Sequence, residues 1–170
     1  GGAIFGFFYA PIVITGMHHS FTAVETQLLA DIATTGGSFI FPVAAMSNVA
    51  QGAAALAVIL TLKNDNKMKG IASASGISAL LGITEPAIFG VNLKLRYPFF
   101  GAMIGSAVSS AYIMLTKVLA LAPGAAGLPG IISIRPDSMV NYIIGMVISM
   151  AVAVISTIML AKFMNEKKQA

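Results

Sequence analysis

Apolar residues occupy this chain in long runs, and polar residues mark where the runs end. Five stretches, at 1–24, 39–62, 71–93, 99–122 and 139–161, are apolar enough to be membrane elements. About 20 residues of helix cross the hydrocarbon core, so each is long enough in principle. The stretches at 39–62 and 139–161 contain no Asp, Glu, Lys or Arg. The stretch at 1–24 has none either but carries His18 and His19, while 71–93 holds Glu85 and 99–122 holds Lys117. Residues 21–38 are less apolar; Glu25, Asp31 and the turn Thr34-Thr35-Gly36-Gly37 predict a loop or surface helix. There is no internal repeat, low-complexity run or domain boundary.

The charged residues orient these elements. The 63–70 segment carries Lys63, Lys67 and Lys69 against Asp65, and the tail carries Lys162, Lys167 and Lys168 against Glu166. Short lysine-rich loops lie on the cytoplasmic side. The 123–138 segment, with one Arg, one Asp, prolines and glycines, suits the outer side. If both lysine-rich segments are cytoplasmic, the chain between them crosses an even number of times. Three apolar stretches lie between them, so one does not span. The stretch at 71–93 is that one: Gly76, Gly82, Pro86 and Gly90 interrupt it, and a carboxylate sits inside it. A hairpin that enters and returns also leaves Lys94 and Arg96 on the cytoplasmic side. Irregular backbone at membrane depth survives only where it is buried in protein or lines a wet cavity, so this hairpin is expected to line a site. The alternative is a full span broken at Pro86, with the parity repaired elsewhere.

Composition agrees with the pattern. Of 170 residues, 57% are hydrophobic and 9% charged, and mean hydropathy is +0.88. A soluble domain carries about 25% charged residues. A signal peptide does not account for the apolar runs, which recur along the whole chain. The net charge of +4 sits at the ends of apolar runs, with no basic patch of interleaved aromatics, which argues against a nucleic-acid partner. No cysteine is present; disulfides, thiolate metal sites and a cysteine nucleophile are excluded. The start, Gly-Gly-Ala in apolar sequence, reads as part of a longer polypeptide.

Few residues can carry chemistry. Glu85 lies in Gly82-Ile83-Thr84-Glu85-Pro86. A carboxylate at membrane depth is costly and is by default a functional candidate, although a hydrogen-bonded structural acid is the alternative. Glycine beside it lets backbone approach a ligand closely. His18 and His19 follow Thr15-Gly16-Met17; on a helix they point about 100° apart, so one of them faces a given cavity. Asn48 and Gln51 interrupt an apolar run, as glue between helices or as ligand contacts. No His/carboxylate pair at helical spacing suggests a metal, and no phosphate loop or hydrolase triad appears. A carboxylate, an imidazole and amides in an apolar setting suit a neutral polyol.

These same residues carry a family resemblance. The run Gly82-Ile83-Thr84-Glu85-Pro86-Ala87-Ile88-Phe89-Gly90-Val91-Asn92-Leu93-Lys94, with Thr15-Gly16-Met17-His18-His19, Gly37-Ser38-Phe39 and Ser47-Asn48-Val49-Ala50-Gln51-Gly52, resembles the membrane IIC component of the sugar phosphotransferase system, glucose superfamily. The wording around residues 14–21 and 24–28 is most like sucrose permeases, with trehalose and β-glucoside relatives next. The resemblance implies an all-α integral membrane fold with transmembrane helices and re-entrant hairpins. It also implies a homodimer of about ten membrane helices per subunit. Residues 1–170 would be the C-terminal, substrate-binding part of a IIC domain in the bacterial cytoplasmic membrane, with neither IIB nor IIA present and no cofactor.

The implied activity is translocation of a disaccharide, with sucrose first, coupled to its phosphorylation by a phosphocysteine on IIB. A chain without cysteine cannot carry that phosphate, so a separate protein or a detached domain must donate it. Glu85 and His18 are the catalytic candidates. Glu85 would bind the attacking hydroxyl and take its proton, and His18 would orient the sugar. Gly82, Thr84, Asn48 and Gln51 join them as candidate sugar contacts. Lys94 and Arg96 would attract the phosphorylated donor, or else only anchor the cytoplasmic side. Broken helices and a membrane carboxylate also suit a proton-coupled carrier without phosphorylation; the product distinguishes the two. A sensor or remnant is a third class.

Overall fold

A computed structural model describes residues 1–169, with side chains through Met164. The side chains of Glu166, Lys167 and Lys168, which contributed to the tail charge, lie outside what is described. Three long apolar helices form the frame: α4 (Ile40–Thr61), α8 (Tyr97–Leu115) and α9 (Met139–Gln169). Each has the length and composition to cross a membrane. Before them come α1 (Gly2–Ile14), α2 (Ser20–Ala30) and α3 (Ile32–Thr35). Between α4 and α8 lie α5 (Asn66–Leu80), the short α6 (Glu85–Ala87), a π-helical turn at Ile88–Asn92, and α7 (Leu93–Leu95). The described residues contain no strand, only isolated bridges joining Ala120 to Ser38 and to Ile134.

Small residues bring the frame helices together. A Cβ on Gly105 would lie 2.8 Å from the Ser149 carbonyl and 2.9 Å from the Ala153 amide. One on Gly101 would strike the Thr157 hydroxyl, and one on Gly6 would strike the Ser110 hydroxyl. Gly52 of α4 and Gly76 of α5 face each other in the same manner. In lipid, where burial of apolar area gives little drive, such close backbone approach is what holds helices together. Ser149 adds a bond, its Oγ donating to the Met46 carbonyl at 2.7 Å.

The 71–93 stretch is a re-entrant hairpin, as the parity of charged segments predicts. At 1.5 Å per residue, α5 is about 22 Å long and the return limb from Glu85 to Leu95 about 16 Å, both short of a roughly 30 Å core. The return brings Lys94 to the end where it left: Lys63 and Lys94 line one cleft with Thr61 and Tyr97. The Tyr97 and Thr61 hydroxyls pair at 2.7 Å, joining the end of α4 to the start of α8. Asp65 starts α5, its carboxylate accepting from the Met68 amide at 2.9 Å.

The first apolar stretch departs from expectation. Residues 1–24 do not form one continuous helix. The chain turns at 15–19 and α2 runs back, with Phe21 stacked on Tyr9 and edge-on to Phe5. Phe5 in turn packs against Phe39 at the start of α4. Gly16, at φ 76°, makes the turn, and the polar Thr15, His18 and His19 have no place in a continuous apolar wall. The 21–38 segment is helical over α2 and α3, within the surface-helix expectation.

A topology test follows. Single cysteines at Asn66 and Leu95 should react with an impermeant thiol reagent from the same side of the membrane. Labelling from opposite sides would mean that the hairpin spans.

Candidate functional site

Two turns between helices carry the candidate residues, and they approach from opposite ends. α1 starts near the beginning of α4 and ends nine residues past Phe5, so the His18 turn lies about 14 Å along, well short of the roughly 33 Å length of α4. The hairpin tip comes from the basic end. Between them sits one apolar cluster of Ala10, Ile88, Phe99 and Met103, with Val13, Ile14 and Leu93 packed on it. His18 is about one turn beyond Ile14, and Glu85 about one turn before Ile88. Residues flanking the two motifs thus share one cluster, and no hydrogen bond joins the His18 and Glu85 side chains among the described residues.

The local backbone explains how Glu85 is presented. Gly82 has φ 106°, a conformation that side-chain-bearing residues avoid, and it ends α5 with its amide bonded to Ala79. Ser78 then closes the tip: its carbonyl accepts the Ile83 amide at 3.0 Å, and its hydroxyl donates to the Ile83 carbonyl at 3.1 Å. Thr84 is buried, and its carbonyl accepts the Ile88 amide at 2.9 Å. Glu85 begins α6 with Pro86 after it, and its side chain is exposed.

His18 is half-buried and its Nδ1 is enclosed without a partner, whereas His19 is exposed and its ring lies 4.0 Å from that of His18. An enclosed imidazole nitrogen without a bond requires an explanation, and a ligand hydroxyl is one.

Asn48 and Gln51 engage protein groups. Asn48 Nδ2 donates to the Ala126 carbonyl at 2.6 Å. Gln51 is 1% exposed and its Oε1 accepts from Asn92 Nδ2 at 2.6 Å; the same Nδ2 reaches the Gln51 carbonyl at 3.0 Å. Asn92 was not singled out beyond its place in the motif. Its signal was present in the sequence: one amide in an apolar limb, matched by an amide in the neighbouring helix. Asn92 also ends the π-helical turn, a distortion found often beside functional sites. Lys94 and Arg96 are exposed at the basic end. Arg96 has φ 67°, rare for a residue with a side chain, at the sharp joint into α8.

The 123–138 segment is more than a surface connection. It folds against the hairpin tip, where a Cβ on Gly127 would meet the Leu80 carbonyl at 2.5 Å and the Gly82 amide at 2.9 Å. The Gly127 carbonyl accepts from the Tyr142 hydroxyl at 2.9 Å.

Three apolar helices long enough to cross a membrane, with a hairpin between two of them, define an all-α integral membrane fold. The family described as Phosphotransferase system, EIIC matches residues 1–106, and the chain belongs to that family. It is 69% identical over 94% of its length to the PTS system sucrose-specific EIIBC component of Vibrio alginolyticus, covering 33% of that protein. The sucrose-specific EIIBC component of Pasteurella multocida is 65% identical over 95% of the chain, covering 34% of that protein. The trehalose-specific EIIBC component of Bacillus subtilis is 48% identical over 98% of the chain, covering 35% of that protein. The chain thus spans about a third of the length of these relatives. No solved structure matches it.

Proposed function

We propose that residues 1–170 are the substrate-binding, C-terminal part of a IIC domain that moves sucrose across the bacterial inner membrane and presents it for phosphorylation by a IIB domain. The observation that supports this reading is that Ile14 and Ile88, each about one turn from His18 and Glu85 in the chain, pack in one apolar cluster. It sits in a chain 65–69% identical to proteins named sucrose-specific. Glu85 binds the attacking hydroxyl and accepts its proton as the hydroxyl oxygen attacks phosphorus; the cysteine sulfur of IIB leaves with its bonding electrons. His18 orients the sugar through Nδ1. Thr84 and Gly82 shape the tip, and their backbone flanks the sugar. Asn48 and Gln51 act by fixing the tip and return limb, since their observed partners are protein groups. Lys94 and Arg96, beside the exit of the hairpin, attract the phosphorylated donor. The rest of the IIC domain supplies the dimer contact and the wall facing Glu85.

Competition uptake into cells that carry the complete permease tests the substrate. Sucrose should outcompete trehalose and β-glucosides, and the internal product should be sugar phosphate. A β-glucoside that outcompetes sucrose would place the chain in another branch. Unmodified sugar inside would favour a proton-coupled carrier.

A further inference from the structure

Two joined grooves lie where α4 and α9 reach the basic end. One, of about 450 Å³, includes Thr61, Lys63, Lys94 and Tyr97 in its lining. The other, of about 320 Å³, is lined by Leu60, Thr61, Lys63, Ile158, Ala161 and Lys162. They share Thr61, Lys63 and Ala161, so they form one depression. No carboxylate lines either groove among the described residues. Asp65, the acid nearest Lys63 in sequence, has its carboxylate on the start of α5. Lys69 braces the rim, its Nζ donating to the Lys63 carbonyl at 3.3 Å.

The chemistry of the smaller groove is divided by height. Lys63 and Lys162 are the first charges after the uncharged runs at 39–62 and 139–161, and both border the level of Ala161. Below them, toward the middle of the two helices, the wall is Leu60 and Ile158, and Leu60 is 74% exposed. Two lysines lining one groove with an open apolar wall, where α4 and α9 end, match a molecule with a phosphate head and a hydrocarbon tail. Basic pockets between transmembrane helices on the cytoplasmic side hold lipid head groups by this combination. Free phosphate would make no use of the apolar wall. We propose that Lys63 and Lys162 bind the phosphate of an anionic phospholipid of the cytoplasmic leaflet, with an acyl chain along Leu60 and Ile158. The site is independent of the sugar reading and leaves Lys94 and Arg96 to the donor.

The test uses the complete permease in mixed micelles, with phosphatidylglycerol and phosphatidylcholine as probes and retention read by native mass spectrometry. Phosphatidylglycerol should be retained in preference. Lys63→Gln with Lys162→Gln should weaken its retention roughly 25-fold, about 5-fold per lysine, and leave phosphatidylcholine unchanged. Lys63→Arg with Lys162→Arg should retain it. Excess inorganic phosphate should not displace it. In the unmodified protein, a phosphatidylglycerol with a photoreactive acyl chain should crosslink near Leu60 and Ile158, a readout that does not depend on any variant folding. Unchanged retention by the glutamine variant, displacement by inorganic phosphate, or crosslinks only elsewhere would each overturn the proposal. Unaltered lipid retention with slowed phosphoryl transfer from IIB would also overturn it, by assigning the lysines to the donor.

Discussion

Glu85→Gln should lower the rate of sugar phosphorylation by about 10²–10⁴-fold, the range over which a positioned proton acceptor contributes. The substitution keeps the shape of the side chain and its capacity to hydrogen-bond a sugar, and removes the anion. Glu85 is exposed on the tip, and no partner within the chain is lost with it among the described residues. The fold should therefore survive. Sugar affinity should change less, because one charged hydrogen bond is worth about 1.5–3 kcal/mol. His18→Gln should reduce affinity and transfer together, since orientation serves both steps. Affinity and single-turnover phosphorylation, measured in parallel on the complete permease with phosphorylated IIB, separate the two roles. Normal phosphorylation by Glu85→Gln would remove it from the mechanism. Equal losses in affinity and catalytic efficiency with unchanged turnover would make it a sugar ligand alone.

The second large effect belongs to the frame. Gly105→Leu places a branched side chain against the Ser149 carbonyl and the Ala153 amide, both main-chain groups of α9. No flexible side chain can yield there, so α8 and α9 must separate, and the close contact at Gly101 and Thr157 opens with them. Overpacking a tight site costs about 1–3 kcal/mol and sometimes more; with two main-chain obstacles the upper end applies. The variant should lose most of its monodisperse folded fraction in detergent size-exclusion chromatography and melt at lower temperature. Gly70→Leu is the control. A Cβ there meets nothing within 4 Å, and leucine is a better helix former than glycine by up to about 1 kcal/mol. Its stability should hold or rise. Equal behaviour of the two variants would show that the α8–α9 approach is looser than described.

The positions of α4, α8 and α9 were legible because hydrophobic runs that end in lysine leave little choice in a bilayer. The hairpin was legible through charge parity and through Gly82 and Pro86, which cannot continue a helix without loss. The break at Thr15–His19 was harder to see: the run around it is uncharged, and histidine does not register as a formal charge. The tertiary role of the 123–138 segment could not be read at all. Its contacts with Asn48, Leu80 and Tyr142 run largely through its own main chain, and main-chain carbonyls leave no mark in a sequence. For the site, Glu85 and His18 stood out as polar groups in apolar surroundings, and Ile14 and Ile88, about a turn from each, pack in one cluster. The Gln51–Asn92 bond links limbs far apart in sequence, so each amide was visible but the pairing was not.

The hairpin tip is fastened on more than one side. Asn92 and Gln51 pin its return limb to α4, while the segment pressed on its front is held by Asn48 of α4 and Tyr142 of α9. A part moored to two separate spars cannot swing like a flap without parting its moorings. If a sugar sits at Glu85 as proposed, its travel would engage the tip, the 123–138 segment, α4 and α9 as one moving mass, and the sliding surface would lie where these elements meet whatever surrounds them.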